Sequence, residues 1–186
     1  MTTPDANAPE EIAWEGKWIV ARKRGRWEYA SRARNIRAAV ILAIDGDNVV
    51  LVEQYRIPIA RNCLEMPAGL IGDEEGKESE DPIESARREL EEETGYRADS
   101  WTDLGEFFSS PGMTTESFTV YLAKGLTKVG AGGGIEGENI TVHRVPIAQI
   151  NDFVAAERAR GTAIDSKLLM LLAGGFLGDV IRGDRA

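Results

Sequence analysis

The sequence has little cysteine and histidine and no long apolar run, and each shortage excludes a class of protein. It contains 186 residues, with Cys63 as its one cysteine and His143 as its one histidine. A single cysteine excludes an intrachain disulfide and a cysteine-based metal cage. No apolar run approaches the roughly eighteen residues of a membrane span, and Met1 to Glu15 is acidic and polar, unlike a signal peptide. We therefore expect one soluble, cytoplasmic domain that does not partner a membrane.

Positive charge is also scarce. Lys and Arg number 22 against 31 Asp and Glu, which gives a formal net charge of −9. General nucleic-acid binders hold phosphates with an excess of Lys and Arg, so we expect no nucleic-acid partner. The distribution carries more information than the total. Residues 72–93 hold eleven acidic and three basic residues, whereas residues 17–37 hold eight basic residues and one acidic residue.

Apolar patterning predicts a mixed α/β chain in three parts. Residues 1–13 lack periodicity and are predicted to be a mobile tail, residues 14–37 an N-terminal strand region with a hairpin at Arg24-Gly25, and residues 38–186 the main domain. Within that domain, apolar runs between turn signals predict strands over 38–44, 49–55, 63–67, 101–108, 116–123 and 140–145, and helices are predicted over 82–94, 147–160 and 165–177. Glycine-rich, acidic loops are expected over 69–80 and 130–138.

The helix over residues 82–94 has clear end signals. Asp81 is a good N-cap, Pro82 suits the first helical position, and Gly95 is a natural stop. Apolar and small residues recur at three- and four-residue spacing and predict the buried face, which comprises Ile83, Ala86, Leu90 and Thr94.

Three glutamates on this helix indicate a metal site. Glu89, Glu92 and Glu93 are spaced i, i+3 and i+4, so the helix places their carboxylates on one face. By charge spacing alone this is an ordinary solvated face. However, the acids lie toward the C-terminus, where the helix dipole makes negative charge unfavourable by roughly 0.3–1 kcal/mol each. Mg²⁺ or Mn²⁺ would compensate, because both prefer carboxylate oxygens and can add phosphate oxygens as ligands.

The same helix carries a recognisable motif. Residues 88–96, Arg-Glu-Leu-Glu-Glu-Glu-Thr-Gly-Tyr, resemble the second half of the Nudix box, in which Arg-Glu, an aliphatic residue, Glu-Glu and Gly recur in this order. Glu80 matches the earlier glutamate of the box and Gly69 its opening glycine. Ten residues, 70–79, separate these two positions where the family has five, and we interpret the difference as an insertion before the helix.

Flanking segments resemble the ADP-ribose pyrophosphatase branch of that family. They are Val-Glu-Gln-Tyr-Arg at 52–56, Leu-Glu-Met-Pro-Ala-Gly-Leu-Ile at 64–71, and Ser-Pro-Gly at 110–112 followed by Glu116. The resemblance implies a mixed-sheet α/β/α sandwich, a homodimer formed with the N-terminal strand region, and metal-dependent hydrolysis of a nucleoside diphosphate sugar. ADP-ribose is the first candidate substrate, and GDP-mannose or another nucleotide sugar is the alternative.

Residue by residue, the resemblance implies a metal site for Mg²⁺ or Mn²⁺. Its ligands would be Glu89 and Glu93, with Glu92 as a third and the carbonyl of Ala68 as a main-chain ligand. Glu80 would assist through water. Arg88, four residues before Glu92, would hold the carboxylates in place by an ion pair, a role that suits a permanent cation.

A base or water-positioning group is expected on the late loop. Residues 135–140 match the segment that supplies a glutamate in the resembling enzymes. Alignment through Ile140 favours Glu136 over Glu138. His143 lies in a predicted strand after the loop, so we interpret it as structural rather than as a proton shuttle.

Candidate substrate contacts lie elsewhere in the chain. Arg56 and Arg32 suit phosphate oxygens, because guanidinium pairs well with them. Tyr29 and Trp27 could stack on a base, although each also fits a core or dimer contact. Glu116, in the segment that resembles the ADP-ribose pyrophosphatase branch, is the last candidate substrate contact.

Two non-enzymatic alternatives compete with hydrolysis. A catalytically silent Nudix-like domain could sense nucleotides, but the intact Arg88-Glu89 and Glu92-Glu93 pairs argue against it. A purely structural acidic interaction domain accounts for the charge but not for the ordered motifs.

Overall fold

The computed structural model describes residues 3–72 and 80–172, and these residues form two sheets and three helices. Strands β1–β3 form a three-stranded antiparallel sheet, and β4–β11 form a second, mixed sheet. The strands are β1 Glu10–Glu15, β2 Ile19–Arg24, β3 Trp27–Arg32, β4 Arg37–Asp45, β5 Asn48–Arg56, β6 Arg61–Glu65, β7 Ala68–Ile71, β8 Tyr96–Phe108, β9 Ser117–Lys128, β10 Thr141–Pro146 and β11 Ala163–Ile164, and the helices are α1 Pro82–Thr94, α2 Ile150–Ala159 and α3 Leu169–Leu172.

Strand β4 lies at the centre of the large sheet and faces two apolar layers. Its side chains alternate between the two faces of the sheet, as strand geometry requires. Ala39, Ile41 and Ala43 pack with Ala86 and Leu90 of α1. The intervening residues Val40, Leu42 and Ile44 pack with α2 and the segment before α3 on the other face. Helices therefore cover both faces, which confirms the predicted α/β/α sandwich.

The mixed character of the sheet is also confirmed. Strand β4 pairs in parallel with β9 but antiparallel with β5 and β7. The order β11-β6-β5-β4-β9-β8 has β10 paired to β5 and β7 paired to β4 off this path. Strand β7 precedes the segment that carries Glu80, and β10 follows the loop that carries Glu136 and Glu138.

Helix α1 begins and ends where the sequence predicts. The Asp81 side chain accepts a hydrogen bond from the Ile83 N–H at 3.2 Å, and Pro82 occupies the first turn. Gly95 ends the helix in the left-handed region, at φ 71°, where glycine avoids the steric cost of a Cβ. Ala86, Leu90 and Thr94 are buried as expected.

Several other element boundaries differ from those predicted. Strand β8 begins at Tyr96, directly after α1, because it pairs with β9 along almost its whole length. Strand β7 lies in the segment expected to be a loop, where pairing with β4 holds it. Residues 147–149 and 166–168 form 3₁₀ turns before α2 and α3. The last part of the predicted helix over 165–177 lies outside the described residues.

The N-terminal sheet begins at Glu10, earlier than the expected boundary at residue 14. The Glu10 carboxylate accepts hydrogen bonds from Arg22, Arg24 and the Tyr29 hydroxyl on the next two strands. This cross-strand pairing of charges leaves no apolar pattern in the sequence, so periodicity alone could not place residues 10–13 in a strand.

Backbone hydrogen bonds attach the N-terminal sheet to the main domain. The Ala30 N–H donates to the Met113 carbonyl at 2.9 Å, and the Thr115 N–H donates to the Ala30 carbonyl at 3.0 Å. Strand β3 is thereby fixed against the loop between β8 and β9. No helix in the described parts of the chain is long and apolar enough to span a membrane.

Candidate active site

Strand register brings polar side chains from β5 and β6 to the face of the sheet that α1 covers. Val50 packs in the apolar layer of α1, and side chains two residues apart share a face, so Gln54 and Arg56 lie on that face too. Glu65 pairs directly with Val52 and therefore also faces α1. The sheet thus contributes an amide, a guanidinium and a carboxylate to one side of the site.

Two of the three predicted glutamates on α1 are held against β7. The Glu93 carboxylate accepts a hydrogen bond from the Ala68 N–H at 2.9 Å. A Cβ at Gly69 would lie 2.0 Å from the Glu89 carboxyl carbon, so the absence of a side chain at Gly69 makes room for the Glu89 carboxyl. A side chain at Gly69 would therefore require the Glu89 carboxyl to move.

Glu93 is the most buried member of this group, with a relative exposure of 6%. Burial raises the pKa of its carboxyl to about 8, and the hydrogen bond from Ala68 opposes that rise. The carboxylates of Glu89 and Glu138 raise the pKa further, whereas Arg56 lowers it. Burial is thus the main reason that the Glu93 carboxyl resists ionisation, and its carboxylate neighbours add to that effect.

Arg88 contacts three of the predicted acidic residues. Its Nη1 lies 2.8 Å from Glu89 and 3.3 Å from Glu92, and its Nη2 lies 3.6 Å from Glu80. The predicted pairing of Arg88 with Glu92 is thus present in the structure. Glu80 Oε2 is buried and has no hydrogen-bond partner among the described residues.

The carboxylates do not converge on one point in this arrangement. Across residues 3–72 and 80–172, no group of three or more His, Cys, Asp or Glu side chains is arranged to hold a metal ion. Glu92 is turned to Arg88 and Glu93 to Ala68, so the expected ligands are adjacent but are held by different partners.

The C-terminal end of α1 is capped by the segment after β9. The Gly133 and Gly134 N–H groups donate to the carbonyls of Glu93 and Glu92 at 2.8 and 3.0 Å. Lys128 Nζ donates to the Thr94 carbonyl at 2.7 Å. These bonds satisfy carbonyls that a helix end leaves unpaired, and the Lys128 charge offsets the negative end of the helix dipole.

The same segment carries the two candidate bases. Glu138 is partly buried, its carboxylate accepts a hydrogen bond from the Ile135 N–H at 2.8 Å, and its charge acts on Glu93. Glu136 is exposed. Gln54 Nε2 donates to the Glu138 carbonyl at 3.2 Å, which ties the loop to β5. The structure therefore places Glu138 beside the α1 carboxylates, although the sequence favoured Glu136.

The arginines proposed for phosphates are already paired with carboxylates. Arg56 donates to both oxygens of Glu65, at 2.6 and 2.9 Å. Arg32 donates twice to one oxygen of Glu116, at 2.9 and 2.6 Å. Two predicted substrate residues, Arg32 and Glu116, are thus in direct contact with each other.

Trp27 and Tyr29 line one cavity of about 450 Å³ together with Pro111 and Gly112. Trp27 is half exposed, and the Tyr29 hydroxyl donates to Glu10. The cavity lies between the N-terminal sheet and the loop before β9, and its volume is in the range of small-molecule sites.

His143 lies on the opposite face of the sheet from the α1 carboxylates. Its Nε2 is 3.0 Å from Glu53 Oε2, and its ring lies 5.3 Å from that of Phe153 in α2. Glu53 also accepts a hydrogen bond from Asn62 at 2.8 Å. This position agrees with the structural interpretation of His143.

Sequence reasoning missed Glu65, Gln54 and Lys128. Glu65 is a lone charge within an apolar strand, which is a signal for a buried ion pair that could have been used. Gln54 and Lys128 act through backbone carbonyls of residues distant in sequence, and no local pattern marks such contacts.

Comparison with known proteins identifies the family. A family model described as "NUDIX domain" matches residues 34–169. The chain is 40% identical over 104 residues to the methanol dehydrogenase activator of Bacillus methanolicus, covering 55% of this chain and 54% of that protein. It is 38% identical over 130 residues to the ADP-ribose pyrophosphatase of Mycobacterium tuberculosis, covering 69% of this chain and 58% of that protein. The matches thus span little more than half the length of these two curated relatives.

A third relative and one solved structure match over more of their length. The GDP-mannose pyrophosphatase of Cronobacter sakazakii is 30% identical over 163 residues, with 83% of this chain and 78% of that protein covered. A crystal structure of an ADP compounds hydrolase superposes with a TM-score of 0.67 at 22% identity and covers 95% of this chain and 93% of that one. At that identity the structural likeness concerns the fold alone.

The reactivity of the Cys63 thiol tests directly whether this residue is buried. Burial, with the charges of Glu65 and Asp165, raises the pKa of the Cys63 thiol to about 12. Because the reactive species is the thiolate, we expect no reaction of the native protein with 5,5′-dithiobis(2-nitrobenzoic acid) at about pH 8. Urea-unfolded protein should release one equivalent of chromophore. Stoichiometric labelling of the folded protein within minutes would contradict this description.

Proposed function

Because the chain belongs to the NUDIX family, we propose that it is a metal-dependent hydrolase of nucleoside diphosphate sugars. ADP-ribose is the first candidate substrate, and the products would be a nucleoside monophosphate and a sugar phosphate. The observation that carries the proposal is the buried Glu93 carboxyl, which lies near two further carboxylates and whose pKa is raised mainly by burial.

The residues around Glu93 fit Mg²⁺ or Mn²⁺. The donor set of Glu89, Glu92 and Glu93 consists of carboxylate oxygens, which these cations prefer. Glu80 supplies a buried oxygen without a hydrogen-bond partner in the described chain. Gly69 leaves room for the Glu89 carboxyl beside β7, where the Ala68 carbonyl would be a further donor. A divalent cation would offset the charge that raises the pKa of Glu93.

The chain's own residues would share the work of hydrolysis. When bound, the cation supplies charge neutralisation and activation of water for attack on one phosphorus. Glu89 and Glu93 would be ligands, Glu92 a third, and Glu80 an indirect contributor. Arg88 would keep Glu89 and Glu92 in their relative positions, as its contacts with both support.

A glutamate of the loop after β9 would orient or deprotonate the attacking water. Glu138 is the candidate that the contacts favour, because its charge acts on Glu93 and its position is fixed through Gln54. Glu136 remains the second candidate, since an exposed glutamate on a glycine-rich loop can approach when the loop closes over substrate.

Substrate contacts would extend from Arg56 to the N-terminal sheet. The exposed part of Arg56 suits the diphosphate, and the cavity lined by Trp27 and Tyr29 suits a nucleobase. Arg32 and Glu116 would contact the nucleoside or sugar. The proposal includes a homodimer through the N-terminal sheet, which exposes large apolar side chains such as Trp14.

GDP-mannose is the second candidate substrate. The relative with that name is matched over most of its length, whereas the matched ADP-ribose pyrophosphatase is covered only in part. A panel of nucleoside diphosphate sugars with Mg²⁺, analysed by separation of the products, distinguishes the two. We expect the highest kcat/KM for ADP-ribose. Absence of nucleoside monophosphate from every substrate would refute the proposed hydrolysis.

Replacement of Glu93 by glutamine tests its role. We expect Glu93→Gln to lower kcat by about a hundredfold or more, because loss of one ligand removes several kcal/mol of transition-state stabilisation. Stability in urea should be retained or raised, since a buried carboxylate is replaced by a neutral group of the same size. Glu91→Gln is the control, because Glu91 lies on the same helix as Glu93 but pairs outward with Arg97 of β8. Full activity of Glu93→Gln would exclude Glu93 as a ligand.

Adding a methyl group at Gly69 tests whether the open space at this position is needed to hold the Glu89 carboxyl. Gly69→Ala should weaken Mn²⁺ binding, measured by electron paramagnetic resonance, by about tenfold, as for other changes in residues that orient metal ligands. Gly112→Ala adds the same group in open space and should leave Mn²⁺ affinity unchanged. Equal Mn²⁺ affinity of Gly69→Ala and the unmodified protein would show that Glu89 is not held at the metal site by this contact.

A further inference from the structure

The carboxylate of Glu65 is buried and is not among the expected ligands, bases or substrate contacts. Its residue is 5% exposed, on a strand whose neighbouring residues Leu64 and Met66 lie in the opposite apolar layer. A carboxylate taken out of water needs a well-aligned partner. Arg56 provides it through two hydrogen bonds, from Nε to one oxygen and from Nη2 to the other.

This bidentate contact fixes the orientation of the guanidinium. Arginine has five N–H donors on a planar group, and Glu65 engages one edge of it. The Arg56 side chain remains 44% exposed, so the contact with Glu65 leaves part of it open to solvent. Alternation along β5 also places Arg56 on the sheet face that α1 covers.

We propose that Glu65 is a positioning residue, which holds the guanidinium of Arg56 so that its open edge binds the diphosphate of the substrate. This inference rests on the proposed hydrolysis. Without Glu65, the long Arg56 side chain would sample several rotamers, and substrate binding would have to restrict them at an entropic cost. Glu65 removes that cost in the free protein.

Stability alone gives a weaker account of the pair. A buried ion pair often contributes no more to stability than apolar residues of similar volume, because desolvation offsets the attraction. The position of the pair also favours a role in substrate binding. Arg56 and Glu65 share the sheet face that carries the candidate active site, and the predicted phosphate contact is one of the two partners.

Glu53 is a matched control for Glu65. It is also a buried glutamate of the central sheet, with a relative exposure of 6%, and it pairs with a side chain on β6. However, it contacts Asn62 and His143 on the opposite face, under α2. Glu53→Gln therefore reports the cost of losing a buried carboxylate without affecting Arg56.

The test compares Glu65→Gln, Arg56→Met, the double variant and Glu53→Gln as full-length proteins. Glutamine has one acceptor oxygen in place of two and presents an NH₂ donor to the other Arg56 N–H, so we expect Glu65→Gln to lower kcat/KM for ADP-ribose with Mg²⁺ by at least about tenfold, mainly through KM. The double variant should match Arg56→Met within about twofold, because Glu65 acts only through Arg56. Glu53→Gln should retain kcat/KM.

Two measurements do not depend on turnover. The Nε–H signal of Arg56 in ¹⁵N NMR spectra should be protected from exchange in the unmodified protein and in Glu53→Gln, and lost in Glu65→Gln. The Kd for ADP-ribose in EDTA should rise in Glu65→Gln by a factor similar to the change in KM.

Three results would overturn the inference. They are an Arg56 signal that Glu65→Gln leaves unchanged, equal losses of kcat/KM in Glu65→Gln and Glu53→Gln, or losses that multiply in the double variant. Failure of the proposed function is recognised separately. In that case the unmodified protein cleaves no substrate of the panel, and the Arg56 signal in the unmodified protein, Glu65→Gln and Glu53→Gln still tests whether Glu65 positions the guanidinium.

Discussion

The crowding of carboxylates near the C-terminal end of α1 is the constraint on which the rest of the site depends. Like charges repel there, and the helix dipole adds to the cost. A nearby guanidinium and a backbone N–H group offset part of this cost. Arg88 contacts Glu89 and Glu92, and the Ala68 N–H binds Glu93. Burial and the neighbouring carboxylates nevertheless raise the pKa of Glu93, and a divalent cation bound there would favour the ionised form.

The large sheet separates structural from chemical roles by its two faces. Alternation along β5 directs Gln54 and Arg56 to the α1 side and Glu53 to the α2 side. Side chains also alternate along β10, so His143 faces away from the α1 carboxylates. It does so although it closely follows the loop that carries the candidate base. Buried charge occurs on both sides, but the pair on the α1 side keeps a half-exposed guanidinium, whereas Glu53 is enclosed by its partners.

The segment between β9 and β10 links the helix end to the candidate base. Its first part binds the last carbonyls of α1, and its second part is tied to β5 through Gln54. A loop fixed at both ends places Glu138 more precisely than a free loop would, and preorganisation of this kind favours catalysis. The glycines at 132–134 have positive φ angles, and a Cβ at Gly132 would lie 2.5 Å from the Thr94 carbonyl carbon, so the approach requires glycine there.

Local signals in the sequence determined α1, the central strands and the identity of the acidic residues. Capping by Asp81 and Gly95 and the period of the buried stripe are short-range effects, so a single sequence specifies them. The resemblance of residues 88–96 to a known motif added the family. Tertiary structure alone decided which charges meet. The pairs Arg56–Glu65 and Arg32–Glu116, the hydrogen bond from Gln54 to the Glu138 carbonyl, and the start of β1 at Glu10 all depend on strand register and loop docking. These bring together residues that are distant along the chain, and composition or periodicity in one segment carries no information about the partner that another segment will present to it.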